Sequence, residues 1–268
     1  MICLILGDTK FSNIILKNIK KNKIEYFIID LSKLNIFKKD KNSYRISIGQ
    51  FGRMIKLMKL LKCNKVLFAG KINKPEFSTL RMDIKGFYYL PKIMKAAKLG
   101  DAAIIKVIID ILKKEKISVI SAITFSPELS LDKGNYSIIK PNKNDVINIM
   151  KGKKYLNKLN AHNHVQGLVV RNKKIIKTET SAGTKKMLQT IKSTKIKEGI
   201  LIKLPKKKQD LRVDLPTMGL DTLMDCVRVG LKGVVLKHKK NIFLDKRKCI
   251  QFANKHKIFI NIIWRKYL

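Results

Sequence analysis

Short apolar runs alternate with amphipathic stretches through the first half of the chain. Ile2–Leu6, Tyr26–Asp30, Lys65–Ala69 and Ile117–Ala122 read as strands, with helices at Asn13–Lys21, Phe51–Leu61 and Ala102–Lys114 between them. In Phe51–Leu61, Met54, Leu57, Met58 and Leu61 fall on one helical face, a stripe that predicts core packing. Strand and helix in alternation predict an α/β fold, with a mostly parallel sheet and crossover helices. From Pro127 to about Asn160 the periodicity fades into Lys- and Asn-rich sequence with Pro and Gly, read as a connection with room for one short helix. The pattern then resumes. Gly167–Val170, Arg171–Lys174 and Ile175-Ile176 read as a hairpin, and Gly183–Lys192 and Gly219–Gly230 as helices. Strands are expected at Gly199–Lys203, Gly233–Leu236 and Ile258–Ile263. The reading divides the chain into an N-terminal α/β domain, 1–133, and a second part, 134–268, whose connecting segment runs to about 158 before a C-terminal α/β domain that carries the chemistry.

An apolar content of 45% over 268 residues is enough for a core and excludes a disordered polar chain. The formal charge of +40 comes from 51 lysines and only eight arginines. Nucleic-acid surfaces favour the planar arginine fork, whereas Lys with abundant Ile and Asn is the bias of A/T-rich codons. The charge is therefore read as mainly compositional, although it should still draw the chain to anionic surfaces at low salt. Aromatic residues are 7% and form no stacking motif, so a basic RNA-binding protein is the weaker reading and no nucleic-acid partner is expected. Four scattered cysteines, Cys3, Cys63, Cys226 and Cys249, read as reduced thiols. The best apolar stretch, Ala102–Leu112, is interrupted by Lys106 and Asp110 and falls short of the ~18–20 residues of a membrane span. Met1–Leu6 runs into Gly7-Asp8, which reads as a first buried strand, so a soluble cytosolic protein is expected.

With only 19 acids in the chain, a cluster of carboxylates is informative. The densest functional segment is Lys203-Leu-Pro-Lys-Lys-Lys-Gln209-Asp210-Leu-Arg212-Val-Asp214-Leu-Pro216-Thr217. Its two prolines oppose a continuous helix, so an extended or looped segment is expected; in an extended chain Asp210, Arg212 and Asp214 share a face. Two carboxylates beside a guanidinium suit Mg²⁺ and a phosphate held together; an Arg–Asp ion pair pinning a loop is the alternative. Gly7 and Gly70 end strands, where ligands of open parallel sheets settle, yet Gly7-Asp8-Thr9-Lys10 is no dinucleotide fingerprint. Gly183-Thr184 enters a helix, as an anion site or as an ordinary cap. His162 and His164, without nearby Cys or clustered acids, make a poor metal site.

The run Lys203…Gln209-Asp210-x-Arg212-x-Asp214-x-Pro216-Thr217-x-Gly219-x-x-Thr222 resembles the signature of the LpxI-type UDP-2,3-diacylglucosamine pyrophosphatases. Ile48-Gly49-Gln50-Phe51-Gly52, Phe68-Ala69-Gly70-Lys71-Ile72-Asn73-Lys74-Pro75, Leu99-Gly100-Asp101-Ala102 and Gln166-Gly167-Leu-Val-Val170 are similar to further family segments in the same order. So are Gly183-Thr184 with Met187-Leu188, and Gly230-Leu231-x-Gly233-Val234. The chain departs from the family at Ala182 and Lys185, at Asn163-His164, and at Lys237-His238-Lys239.

The resemblance implies two α/β domains joined by a linker, the N-terminal one Rossmann-like with a mostly parallel sheet, enclosing a lipid chamber in a homodimer. It implies hydrolysis of the sugar nucleotide to lipid X and UMP with Mg²⁺, at the cytoplasmic face of a Gram-negative inner membrane. Asp214 is then the first choice for the essential acid and Asp210 the second, each a metal ligand or the base, with Arg212 and Lys203 on the phosphoryl oxygens. Gly7, Gly49, Gln50, Gly70, Lys71, Gly183, Thr184, Gln209 and Thr217 are the expected substrate contacts, with Gly7, Gly49 and Gly70 opposite the two acids. Ala182 and Lys185 motivate the alternative of a binding homologue with impaired turnover.

Overall fold

The computed structural model describes residues 1–72, 80–159, 165–206 and 209–264. Asn73-Lys74-Pro75 and the His162/His164 pair lie outside them. The chain divides into two compact units, Met1–Pro127 with Arg212–Asp214, and Glu128–Leu211 with Leu215–Leu268.

The first unit runs β1 (Ile2–Leu6), α1 (Lys10–Lys21), β2 (Tyr26–Asp30), β3 (Ser43–Arg45), α2 (Phe51–Leu60), β4 (Lys65–Ala69), α3 (Ile84–Ala97), α4 (Asp101–Lys114) and β5 (Ser118–Ile120). Its five strands lie in the order β3-β2-β1-β4-β5, every pairing parallel. This is a Rossmann-like half with β1 at its centre. All of β1 is buried, as expected of a strand covered on both faces. Met54 and Met58 of the predicted stripe join the core with Cys3, Ile5, Phe27 and Val66, and Val213 packs on the same cluster.

Two elements carried no periodic signal. β3 is three residues long and half exposed. α3 contains Pro91, which ordinarily argues against a helix interior. Its start is instead set by Asp83, whose carboxylate accepts the N–H groups of Gly86 and Arg53, each at 2.8 Å. Partial burial pushes the Asp83 carboxyl up, and the N–H groups of Arg53, Gly86 and Gly52 overcome this and hold it below its ordinary value.

The second unit contains β6 (Gly134–Asn135), α5 (Lys143–Lys158), β7 (Gly167–Arg171), β8 (Lys174–Thr178), α6 (Gly183–Gln189), β9 (Ile200–Lys203), β10 (Thr217–Met218), α7 (Leu220–Arg228), β11 (Gly233–Lys237), β12 (Ile242–Phe243), α8 (Lys246–Lys255) and β13 (Phe259–Ile263). Six strands form a mixed sheet, β6-β13-β11-β9-β7-β8, and β10 pairs with β12 beside it. The predicted hairpin is β7–β8. Its two-residue turn, Asn172 and Lys173, takes positive φ at both positions (45° and 60°), the geometry that suits a right-twisted hairpin.

The stretch read as a connection holds a helix of 16 residues, α5. Asn142 and Asp145 close a reciprocal capping box at its start. Gly152 lets it lie close on the sheet, since a Cβ there would come within 2.3 Å of Ile202 Cδ1. Its buried face includes Asp145 and Asn148, and these polar members hide it from a search for apolar periodicity. Lys232 neutralises Asp145 at 2.9 Å.

One carboxylate ties three helices of the first unit. Glu115, just after α4, accepts from Lys59 of α2 at 2.5 Å and from Lys85 of α3. The bond from Lys59, then that from Lys85, holds the Glu115 carboxyl below its ordinary 4.5 against the opposing effect of burial. A carboxyl depressed in the folded state stabilises above its unfolded value, and that contribution disappears as pH falls through the folded value. Thermal melts of the native chain should therefore lose more stability between about pH 5 and 3 than those of Glu115→Gln. Parallel curves for the two proteins would show that the tie contributes nothing.

Candidate active site

β7 and β9 are antiparallel, with Gly167 directly opposite Lys203. Residues so paired present their side chains to the same face. Lys203 is buried, and its Nζ donates to the Thr217 carbonyl at 2.8 Å. Its own carbonyl accepts Asn241 Nδ2 at 3.1 Å, and Asn241 Oδ1 accepts the Lys237 N–H at 2.9 Å. The buried amide of Asn241 thus fixes the end of β9 against the turn after β11.

The chain leaving β9 is fastened by a second amide. Leu204 N–H donates to the Gln166 carbonyl at 2.9 Å. Buried Gln209 accepts the Lys206 N–H at 2.9 Å and donates to Gln166 Oε1 at 3.4 Å. Asp210 follows at once, then a turn over residues 211–213, then Asp214. Of the extended and looped readings of the segment, the looped one is observed. A turn breaks the two-residue alternation, so spacing alone does not put Asp210, Arg212 and Asp214 on one face. Thr217 opens β10, where its hydroxyl donates to the Leu215 carbonyl at 3.2 Å.

Glu179 is the residue that sequence reading passed over. It sits one position past β8, its N–H donating to the Gly167 carbonyl at 2.8 Å. The side chain is buried. Oε1 accepts the Thr184 hydroxyl at 2.7 Å, and Oε2 has no hydrogen-bond partner among the described residues. Oε2 lies 3.1 Å from where a Cβ on Gly167 would stand, on the face from which Lys203 rises. The absence of a side chain at 167 is what admits this carboxylate. A deep carboxyl in a chain this poor in acids was the available signal, but the polar run Thr178–Ser181 has no periodicity to reveal burial.

The other expected contacts are distributed as follows. Thr184 is buried with its hydroxyl committed to Glu179. Gly183 has φ +85° and open space on its Cβ side. Ala182 stands at the N-cap of α6 without a side-chain bond. Gly7 and Gly70 meet each other: Gly7 N–H donates to the Ala69 carbonyl at 3.0 Å, and buried Ser12 Oγ bridges the Gly7 and Ala69 carbonyls at 2.8 and 3.0 Å. The Lys71 carbonyl accepts the Asp8 N–H at 2.8 Å. Gly49 packs under α3, where a Cβ on Gly86 would come 1.9 Å from the Gly49 carbonyl oxygen. Gln50 accepts the Ser47 N–H at 3.1 Å and lines a cavity of the first unit.

All four cysteines are buried and unbridged. Burial pushes up the Cys3 thiol, and that of Cys226, where Asp225 adds to the effect and Lys203 opposes it. Burial, with Asp245 and Asp221, pushes the Cys249 thiol up to about 12. None of these three is poised as a thiolate nucleophile. Among the described residues no three His, Cys, Asp or Glu side chains converge as a metal cage. Asp210 and Asp214 each carry a carboxylate of the kind Mg²⁺ takes together with water and substrate oxygens.

A Rossmann-order parallel sheet and a mixed sheet with a buried lysine–amide corner define a two-domain α/β protein. The LpxI N-terminal domain matches residues 1–129 and the LpxI C-terminal domain residues 132–261, so the chain belongs to the LpxI family. A curated relative from Caulobacter vibrioides, UDP-2,3-diacylglucosamine pyrophosphatase LpxI, is 29% identical over 223 residues, covering 80% of each chain. The α/β class and mostly parallel first sheet expected from the sequence are those observed.

Thr184→Val removes the one donor to the buried Glu179 carboxylate among the described residues while keeping side-chain volume. It should lower unfolding stability by about 1–3 kcal/mol in urea titration. A Glu179→Gln/Thr184→Val double mutant should recover part of the loss, which additive effects of the two single changes would contradict.

Proposed function

We propose that this chain hydrolyses the pyrophosphate bond of UDP-2,3-diacylglucosamine to lipid X (2,3-diacylglucosamine 1-phosphate) and UMP. The observation that carries the reading is the presence of both family domains together with a complete Gln209-Asp210-x-Arg212-x-Asp214 run that follows the buried Lys203 in the sequence. A water attacks one phosphorus, and a carboxylate of the acid segment, with Asp214 ahead of Asp210, orients it and takes its proton. Arg212 and Lys203 offset the charge that builds on the phosphoryl oxygens. Gln209, Thr217 and the Gly183-Thr184 turn support the substrate around these groups. Asp210 and Asp214 would hold Mg²⁺, which when bound supplies further charge neutralisation at the phosphates. The enzyme works as a homodimer against the cytoplasmic face of a Gram-negative inner membrane, as the resemblance implies.

Asp214→Ala should reduce UMP release by about 10²–10⁴-fold while substrate is still bound, the pattern of a group needed for chemistry more than for affinity. Near-normal release from this variant with loss in Asp210→Ala would reverse the order of the two acids. A native protein that binds substrate without releasing UMP, with or without Mg²⁺, would favour the impaired homologue that Ala182 and Lys185 suggest.

No helix among the described residues is long and apolar enough to cross a membrane, and the formal charge is +40. Attachment to anionic vesicles should therefore be electrostatic, strong at low ionic strength and released by salt in liposome flotation. Binding unchanged by salt would point to an apolar anchor instead.

A further inference from the structure

We propose that the first unit carries its own binding site for a pyrimidine nucleoside monophosphate, in the cavity lined by Arg45, Arg53 and Arg81. The cavity holds about 400 Å³, within the usual range for small-ligand sites. It opens beyond the carboxyl ends of β2 and β3, where Leu31 and Ile46 follow the last residues of those strands. Ligands of open parallel sheets settle at such strand ends.

The choice of cation is the first argument. Compositional bias in this chain supplies lysine, 51 of them, yet three of its eight arginines line this one cavity. Arginine's planar fork of donors matches a phosphate group in a way that a lysine point charge does not. The second argument is how these guanidiniums are used. Arg45 is anchored: its Nη1 donates to the Asp30 carbonyl at 3.0 Å and to the Ser32 carbonyl, and lies 3.5 Å from Asp30 Oδ1. The Asp30 carboxylate is itself taken up by Ser32 and by the Phe37 N–H. Arg53 and Arg81 make no side-chain hydrogen bond or ion pair among the described residues. The nearby Asp83 engages Arg53 only through its backbone N–H. Of the three guanidiniums only Arg45 is paired among the described residues, with one buried and already satisfied carboxylate, which leaves the cavity positive.

The remaining lining suits a flat heterocycle. Ile48 and Ile72 add to the apolar walls made by Leu31 and Ile46, able to cover the face of a ring. Gln50 spends its amide oxygen on the Ser47 N–H, and its amide Nε2 has no partner among the described residues, so it can donate to a ring carbonyl. An anionic end against arginines, apolar walls and one amide donor together describe a pyrimidine nucleotide. That the nucleotide is UMP rests on the hydrolase reading.

Isothermal titration of the full-length protein with UMP, uridine, glucose 1-phosphate and inorganic phosphate tests this. UMP should bind more tightly than uridine or phosphate alone. The Arg53→Ala/Arg81→Ala double variant, with native circular dichroism, should weaken UMP by roughly tenfold per arginine. Arg53→Lys should recover only part of the loss. UMP affinity unchanged in the double variant, or no UMP binding by the native chain, would overturn the proposal. Glucose 1-phosphate binding as tightly as UMP, with the same arginine dependence, would also overturn it by assigning the cavity to the sugar phosphate. The two readings fail separately. Hydrolysis to UMP with arginine-independent UMP affinity removes the cavity assignment alone, and arginine-dependent UMP binding without hydrolysis removes the enzymatic reading alone.

Discussion

The central strands of both sheets are sealed on both faces, and the location of all polar chemistry follows from that. Every residue of β1, β7 and β9 is buried. Covering such strands with helices is strongly favourable, at about 25 cal/mol per Å² of apolar area removed from water. It also requires the backbone to satisfy itself within the ladder, because a buried unpaired N–H or C=O is costly. Side chains that carry charge can then survive only where strands end. Asp30 closes β2, Arg45 closes β3 and Lys203 closes β9, and both the acid segment and the arginine cavity are built around these exits.

Burial of this kind also sets the terms on which charge is kept. Arg171, the last residue of β7, is buried and spreads its guanidinium over the carbonyls of Glu198, Lys192 and Val229. Gly199 makes room for it, since a Cβ there would come within 2.3 Å of Arg171 Cγ. Glu179 is handled less completely. One oxygen is satisfied by Thr184 and the other is orphaned above Gly167, on the face of the sheet that Lys203 shares.

The two kinds of cation in this chain have different origins. Lysine is spread along the whole sequence and supplies a general field, useful for attraction to anionic surfaces and screened by salt. Arginine is scarce and placed. Arg171 locks the second unit, Arg212 stands within the acid segment, and Arg45, Arg53 and Arg81 line one cavity. In a composition dominated by lysine, the position of each arginine carries information that net charge conceals.

The elements with a clean period were legible from the residues alone: β1, β2, β4, β7, β9, β11 and β13 are runs of apolar residues short enough to be strands, and α2 shows its stripe at helical spacing. Family membership was legible too, because the order of short motifs survives where any one of them is weak. Elements held by polar contacts were not. α5 depends on a capping box and a glycine contact, α3 tolerates Pro91 under an Asp83 cap, and α8 buries only Cys249 and Ala253. At the site, the sequence marked Lys203, Asp210, Arg212 and Asp214 as a dense group, since their chemistry is carried by residue type and proximity along the chain. It assigned Gly7, Gly49 and Gly70 to substrate from motif and strand ends, and could not show that a Cβ at any of the three would clash with neighbouring atoms. The turn at 211–213, the carboxylate of Glu179 over Gly167 and the gathering of three arginines were decided only in three dimensions. Each arises from residues brought together by strand register or by a reversal of the chain, and a one-dimensional pattern records the period of an element but not which neighbour its ends will meet.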